Sequence, residues 1–90
     1  MKRTTQATLI DDVVRALRQL GGRAPKSQVL LLIYYWHEDE FAQPYFQDVV
    51  NVTVPRWRKN VEWAKQKAVI EGHVMRPHKS GRGTWELTVK

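Results

Sequence analysis

The sequence predicts a small, mainly α-helical domain that ends in a β-hairpin. Apolar residues recur at helical spacing in three segments, and glycine or proline bounds each segment. Residues 73–90 instead alternate apolar and polar side chains on either side of a glycine-rich loop. With 90 residues and 42% hydrophobic content the chain can build one core, so we expect one domain over residues 8–90 after a flexible N-terminus at residues 1–7.

The first helix is predicted to begin at Thr8, which can cap it, with Asp11 and Asp12 in the first turn near the positive end of the helix dipole. Gly21 and Gly22 are expected to end it. A second helix should follow, with Pro25 in its first turn. The apolar run 29-VLLLIYYW-36 could also form a buried strand, but Val29, Ile33 and Trp36 fall on one face of a helix, which favours the helix.

Residues 37–54 are predicted to form an ordered connector that is partly helical and partly extended. The second helix has more apolar surface than one buried stripe requires. The aromatic residues of the connector can cover that surplus. The less economical alternative is a partner surface, including a homodimer through the region 30–50.

The third helix is expected from Pro55 to about Glu71, with Gly72 ending it. Its apolar side holds Trp57, Val61, Ala64 and Ala68, with Trp63 and Ile70 at the edge. Its polar side is largely basic and holds Arg58, Lys59, Glu62, Lys65 and Gln66. Three helices followed by a hairpin with a glycine-rich tip predict a winged helix-turn-helix with a wing of two or three strands, in which the third helix enters the DNA major groove.

The distribution of charge agrees with a nucleic-acid partner. The net charge is +6, from 15 basic and 9 acidic residues. Residues 1–45 hold six basic and five acidic side chains, net +1, whereas residues 46–90 hold nine and four, net +5. A basic surface of this kind suits phosphates, because neutralising them releases condensed counterions. A membrane partner is not expected, since the basic half lacks a helix with one broad apolar face and one wholly basic face.

The predicted third helix and hairpin together also resemble a domain of a known protein family. The stretches 56-RWRKNVEWAKQKAVIEGHV-74 and 81-GRGTWELT-88 resemble the N-terminal winged-helix domain of Mrr-type restriction proteins and related modification-dependent endonucleases. The likeness depends on Arg58, Val61, Trp63-Ala64, Gly72 and the Arg82-Gly83-x-Trp85-x-Leu87-Thr88 run. In that family the module lies beside a separate nuclease domain. The resemblance therefore implies a domain excised from a longer chain that recognises DNA, with catalysis in the fused domain.

Eleven residues are predicted to contact double-stranded DNA, and the alternative for each is an ordinary solvated position. Glu62 is also expected to pair with Arg58 or Lys59. Trp63 and Trp85 are expected in the core and not as stacking platforms for bases. The predicted DNA-binding residues are Arg56, Arg58, Lys59, Glu62, Lys65, Gln66, Arg76, His78, Lys79, Ser80 and Arg82.

Other functions find less support in the sequence. Without cysteine there is no disulfide or thiolate metal site, and without a long apolar segment or a signal peptide a cytoplasmic protein is expected. The cluster 37-HEDE-40 cannot converge on one metal ion, and no catalytic motif or cofactor site is recognisable, so an enzyme is not expected. Two alternatives remain open, a free-standing transcriptional regulator and a winged helix for protein contacts through Leu31, Tyr34, Tyr35 and Phe46.

Overall fold

The computed structural model describes residues 5–51, 54–76 and 83–88. Helix α1 spans Gln6–Gln19, and the hydroxyl of Thr5 caps it by accepting a hydrogen bond from the amide of Thr8 at 3.1 Å. The predicted cap at Thr8 is therefore wrong by one turn, and no acidic residue lies in the first turn. The predicted end is confirmed. Gly21 and Gly22 have φ values of 92° and 93°, the left-handed region that glycine enters at low cost.

A three-residue strand, β1 (Arg23–Pro25), joins α1 to helix α2 (Lys26–Trp36). The sequence predicted only a link at this point. The helical interpretation of the second apolar run is confirmed, because Val29, Leu30 and Ile33 are buried along one side of α2. Leu31 and Tyr35 lie on the other side and are 69% and 72% exposed. One face of α2 thus remains apolar and open to solvent.

The connector is partly helical and partly extended, as predicted. It contains two short helices, α3 (Glu38–Phe41) and α4 (Pro44–Gln47), and two short antiparallel strands, β2 (Val49–Asn51) and β3 (Val54–Pro55). Phe41 and Phe46 are buried with ring centroids 5.5 Å apart, and the ring of Tyr34 of α2 lies 6.1 Å from that of Phe41. The connector aromatics therefore cover part of the apolar surplus of α2.

Helix α5 (Arg56–Ile70) is the long helix predicted as the third one, and Gly72 follows its end with φ of 85°. It packs mainly on α1 through the fully buried side chains of Val61, Ala64 and Ala68. Ile70, placed at the edge of the apolar side by the sequence, is 76% exposed. Within the described residues no helix is long and apolar enough to cross a lipid bilayer.

The last described strand, β4 (Thr84–Glu86), pairs with β1 in antiparallel register, Ala24 opposite Trp85. Val74 forms a single antiparallel bridge with Leu87, and the amide of Met75 donates to the carbonyl oxygen of Glu86 at 2.8 Å. Val74 and Trp85 are both buried. The fold is thus mainly helical with two small antiparallel sheets. Of the predicted connecting loop at residues 79–83, only Gly83 lies within the described residues.

Candidate nucleic-acid interface

One flank of α5 faces the start of α2 and forms a compact charge cluster. Arg58 donates from Nε to Oε2 of Glu62 at 3.2 Å, and Nζ of Lys26 lies 3.5 Å from the same oxygen. The predicted pairing of Glu62 with Arg58 is therefore confirmed. It follows from the four-residue spacing of the two side chains on a helix. Lys26 completes the cluster from a helix that is distant in sequence.

Lys65 lies on the same flank, but the structure corrects its predicted exposure. It is only 9% exposed, and its Nζ lies 5.7 Å from the centroid of the Trp85 ring. Burial lowers the pKa of the Lys65 ammonium below its usual value, and the nearby charge of Lys26 lowers it further. The helical period places Lys65 beside the polar residues. The pairing of β4 with β1 sets Trp85 against this position and buries it.

Arg56 contacts the connector and not the Arg58 flank. Its Nε donates to the carbonyl oxygen of Tyr45 at 3.1 Å, and its guanidinium carbon lies 4.4 Å from the centroid of the Tyr45 ring. These contacts fix the first turn of α5 to α4. Arg56 thus has a structural role in this arrangement, and its predicted DNA contact stays a prediction.

The outward side of α5 is exposed and includes a residue that the sequence analysis did not select. Lys59 and Gln66 are exposed, as predicted. Lys67 is exposed as well, and its Nζ lies 5.4 Å from the centroid of the Trp63 ring. Trp63 is only partly buried, beside Leu9 of α1, so its predicted core position is only partly correct. The excess of basic residues on this helix is the feature of the sequence that could have added Lys67 to the predicted DNA-binding residues.

The predicted wing residues divide into one that the structure describes and four that it does not. Arg76 is exposed and follows the bridge between Val74 and Leu87. His78, Lys79, Ser80 and Arg82 lie outside the described residues. The base of the loop is described, because the amide of Lys26 donates to the carbonyl oxygen of Gly83 at 2.7 Å. This bond fixes the start of α2 beside the start of β4.

The polar cluster at the end of α2 differs from the predicted solvated acidic end. His37 shares a short hydrogen bond between its Nε2 and Oδ2 of the buried Asp12. Arg15 lies 3.6 Å from the other oxygen of Asp12, and its guanidinium stacks over Trp36 at 4.1 Å. Glu40 is buried, in contrast to its exposed neighbours Glu38 and Asp39. The cluster joins α1 to α2, and the described part of the chain contains no group of three metal-ligating side chains.

An apolar groove of about 530 Å³ lies between α2 and the start of α5. Leu30, Leu31, Tyr34 and Trp57 form its walls, and Arg58 lies at its edge. The exposed Leu31 belongs to this groove, so the open face of α2 and the charged flank of α5 adjoin each other.

The comparisons of the chain with protein-family models, with curated proteins and with solved structures found no match.

Proposed function

We propose that this chain is a winged-helix module that binds double-stranded DNA. The order of the elements supports the proposal: three main helices (α1, α2 and α5) precede the final strand, β4. That strand pairs with β1, and Leu87, which follows it, forms a bridge with Val74. In a winged helix this pairing places the loop after the last long helix beside that helix. The observation that argues most for it is the bond from the amide of Lys26 to the carbonyl of Gly83. It joins the start of α2 to the base of the glycine-rich loop.

In this proposal α5 is the recognition helix. Gln66 is exposed and its amide can make a bidentate contact with adenine. Arg58 uses Nε for Glu62, which leaves its terminal nitrogens as donors for guanine or phosphate. Lys59 is exposed and, as a flexible point charge, suits a phosphate. Lys79 and Arg82 are assigned to phosphate or the minor groove from the sequence alone.

The biological setting that we propose is target recognition for a modification-dependent restriction endonuclease. Its support is the resemblance of residues 56–74 and 81–88 to the module found in such enzymes. A panel of duplexes that differ only in base methylation tests it. A preference for the modified duplexes is expected. Equal affinity for modified and unmodified duplexes would favour the transcriptional regulator instead.

The DNA-binding proposal is tested by measuring duplex affinity over a range of salt concentrations. If four or five basic residues meet phosphates, the logarithm of affinity should fall with the logarithm of salt concentration at a slope of about −4. Lys59→Ala should reduce the slope by about one, whereas the uncharged change Gln66→Ala should leave the slope unchanged and alter the sequence preference by about 1–3 kcal/mol. A flat salt response, or no duplex binding at low salt, would contradict the proposal.

One observation favours protein contacts as a second function. Leu31, which lines the groove between α2 and α5, is 69% exposed, and Tyr35 of the same helix is 72% exposed. Phe46, which the sequence placed on the same adhesive surface, is buried and does not contribute. Sedimentation over a wide range of protein concentrations tests this alternative. A concentration-dependent mass that Leu31→Ser abolishes, without affinity for DNA, would support it.

A further inference from the structure

The outer face of α2 is apolar, although the core covers only the opposite face. From Val29 to the end of the helix every side chain is apolar or aromatic, a composition typical of a helix that is covered on all sides. The core covers Val29, Leu30 and Ile33. Leu31 and Tyr35 are largely exposed and lie four residues apart, so they are neighbours on one face. They form an apolar strip that a partner can bury.

The position of this strip suits a second copy of the same helix. Helix α2 has 11 residues, from Lys26 to Trp36, and Leu31 is the middle one. A two-fold axis beside Leu31 therefore lets a second α2 run antiparallel along the whole length of the first. Tyr35 of each copy then faces Ser27 of the other, since both lie four positions from Leu31. Ser27 is small and exposed and lines the groove between α2 and α5, which leaves room for the tyrosine ring.

The charges at the two ends of α2 favour the antiparallel direction. At the first turn, Lys26 and Arg58 share the carboxylate of Glu62, so these three side chains have a net positive charge. Directly after the last turn, Glu38 and Asp39 are exposed and have no ion pair among the described residues. The helix dipole adds to both charges. Antiparallel copies place each acidic end beside a basic end, whereas parallel copies place like charges together.

We propose that the outer face of α2 binds a second copy of this chain, packed antiparallel about a two-fold axis at Leu31. The inference rests on the protein-contact function proposed above, whose partner it names, and it stands whether or not the chain binds DNA. One face of a helix about 16 Å long buries less area than a standard interface. The dimer is therefore weak, with a Kd on the order of 100 μM.

The first experiment uses disulfide formation, which is selective because the chain has no cysteine of its own. Facing Cα atoms of two packed helices lie about 4–5 Å apart, within reach of a disulfide. Mild oxidation should convert most of Leu31→Cys to a covalent dimer, and a mixture of Ser27→Cys and Tyr35→Cys to the mixed dimer. Ser27→Cys alone should react at least about tenfold more slowly, since its two cysteines would lie about 12 Å apart along the helix axis.

The second experiment measures mass by sedimentation equilibrium from about 10 μM to about 1 mM chain, a range that brackets the expected Kd. The mass of the unchanged chain should rise towards that of two chains, and Leu31→Ser should keep it at one. Ile70→Ser is the matched control, because Ile70 is as exposed as Leu31 but lies about 18 Å along α5 from Arg58 at the edge of the groove. It should change the Kd less than about twofold, and Ile70→Cys should not cross-link. Circular dichroism checks that each variant is folded.

The outcomes separate this inference from the proposed functions. A chain that stays monomeric at about 1 mM and forms no Leu31→Cys dimer overturns the inference, while duplex titrations decide DNA binding independently. If the chain associates but Ser27→Cys alone cross-links as fast as the mixture, the antiparallel contact is overturned and the protein-contact function stands. Association that Ile70→Ser weakens as much as Leu31→Ser would also overturn it.

Discussion

Two lysines of α5 each lie over a tryptophan, one on β4 and one on α5 itself, and the comparison shows how differently the same contact is used. Lys65 lies over Trp85 and Lys67 lies over Trp63, with the charged nitrogen 5.7 Å and 5.4 Å from the ring centroid. Trp85 and Lys65 are 5% and 9% exposed, whereas Trp63 is only partly buried and Lys67 is exposed. The contact distances are alike, so the surroundings and not the pair decide the energetic role.

The difference comes from the elements that pack on each pair. The inner pair lies where β4 pairs with β1, so several elements cover the ring of Trp85 and most of the Lys65 side chain. The outer pair lies at the edge where α5 meets the beginning of α1, beside Leu9. A cation–π contact contributes little when solvent reaches both partners, and burial makes it stronger but adds a desolvation cost.

The largest expected difference between the pairs is in the tryptophans. Trp85→Ala should lower the free energy of unfolding by about 3–5 kcal/mol, since it leaves a large cavity in the core. Trp63→Ala should cost only about 1–2 kcal/mol, because Trp63 is only partly buried and its removal exposes less apolar surface of the core. Urea unfolding followed by circular dichroism measures both values. Equal costs for the two variants would remove the distinction between an inner and an outer pair.

Replacing the inner lysine should stabilise the fold. Lys65→Met keeps the length of the side chain over Trp85 and removes an ammonium group that is only partly desolvated, so the free energy of unfolding should rise by no more than about 0.5 kcal/mol. Thermal and urea unfolding at neutral pH measure this gain. A loss of stability would show that the contact of the ammonium group with the Trp85 ring outweighs its desolvation.

The pH dependence of stability should separate the pairs as well. Because burial and the charge of Lys26 lower the pKa of Lys65 in the folded chain, the unfolded chain binds more protons between that pKa and 10.5. This lysine therefore destabilises the fold below its folded pKa, and the penalty disappears as pH rises towards 10.5. The advantage of Lys65→Met over the unchanged chain should shrink with rising pH in urea titrations. An advantage that stays constant up to pH 10.5 would contradict the lowered pKa.

The smallest effect is expected at the outer lysine. Lys67→Met should change the free energy of unfolding by less than about 0.5 kcal/mol, since the side chain is exposed and its contact with Trp63 is open to solvent. The same unfolding curves provide this value. A cost as large as that of Trp63→Ala would mean that the cation–π contact holds the ring in place.

The sequence by itself determined the features that depend on local periodicity and on glycine or proline. The ends of α1 and α5 follow from Gly21-Gly22 and Gly72, and the apolar stripe of α5 follows from Val61, Ala64 and Ala68. The pairing of Arg58 with Glu62 follows from their spacing within one helix. These features are local, so neighbouring residues contain the information that specifies them.

Only the tertiary structure decided which polar residues of α5 are exposed and what they contact. The strand β1 exists because β4 pairs with it across about sixty residues of chain, and that pairing places Trp85 over Lys65. Lys26 joins the cluster of Arg58 and Glu62 for the same reason, since the bond to Gly83 holds the start of α2 there. The helical period gives the direction of a side chain from its own helix. What covers that side chain depends on segments distant in sequence, which no local pattern contains.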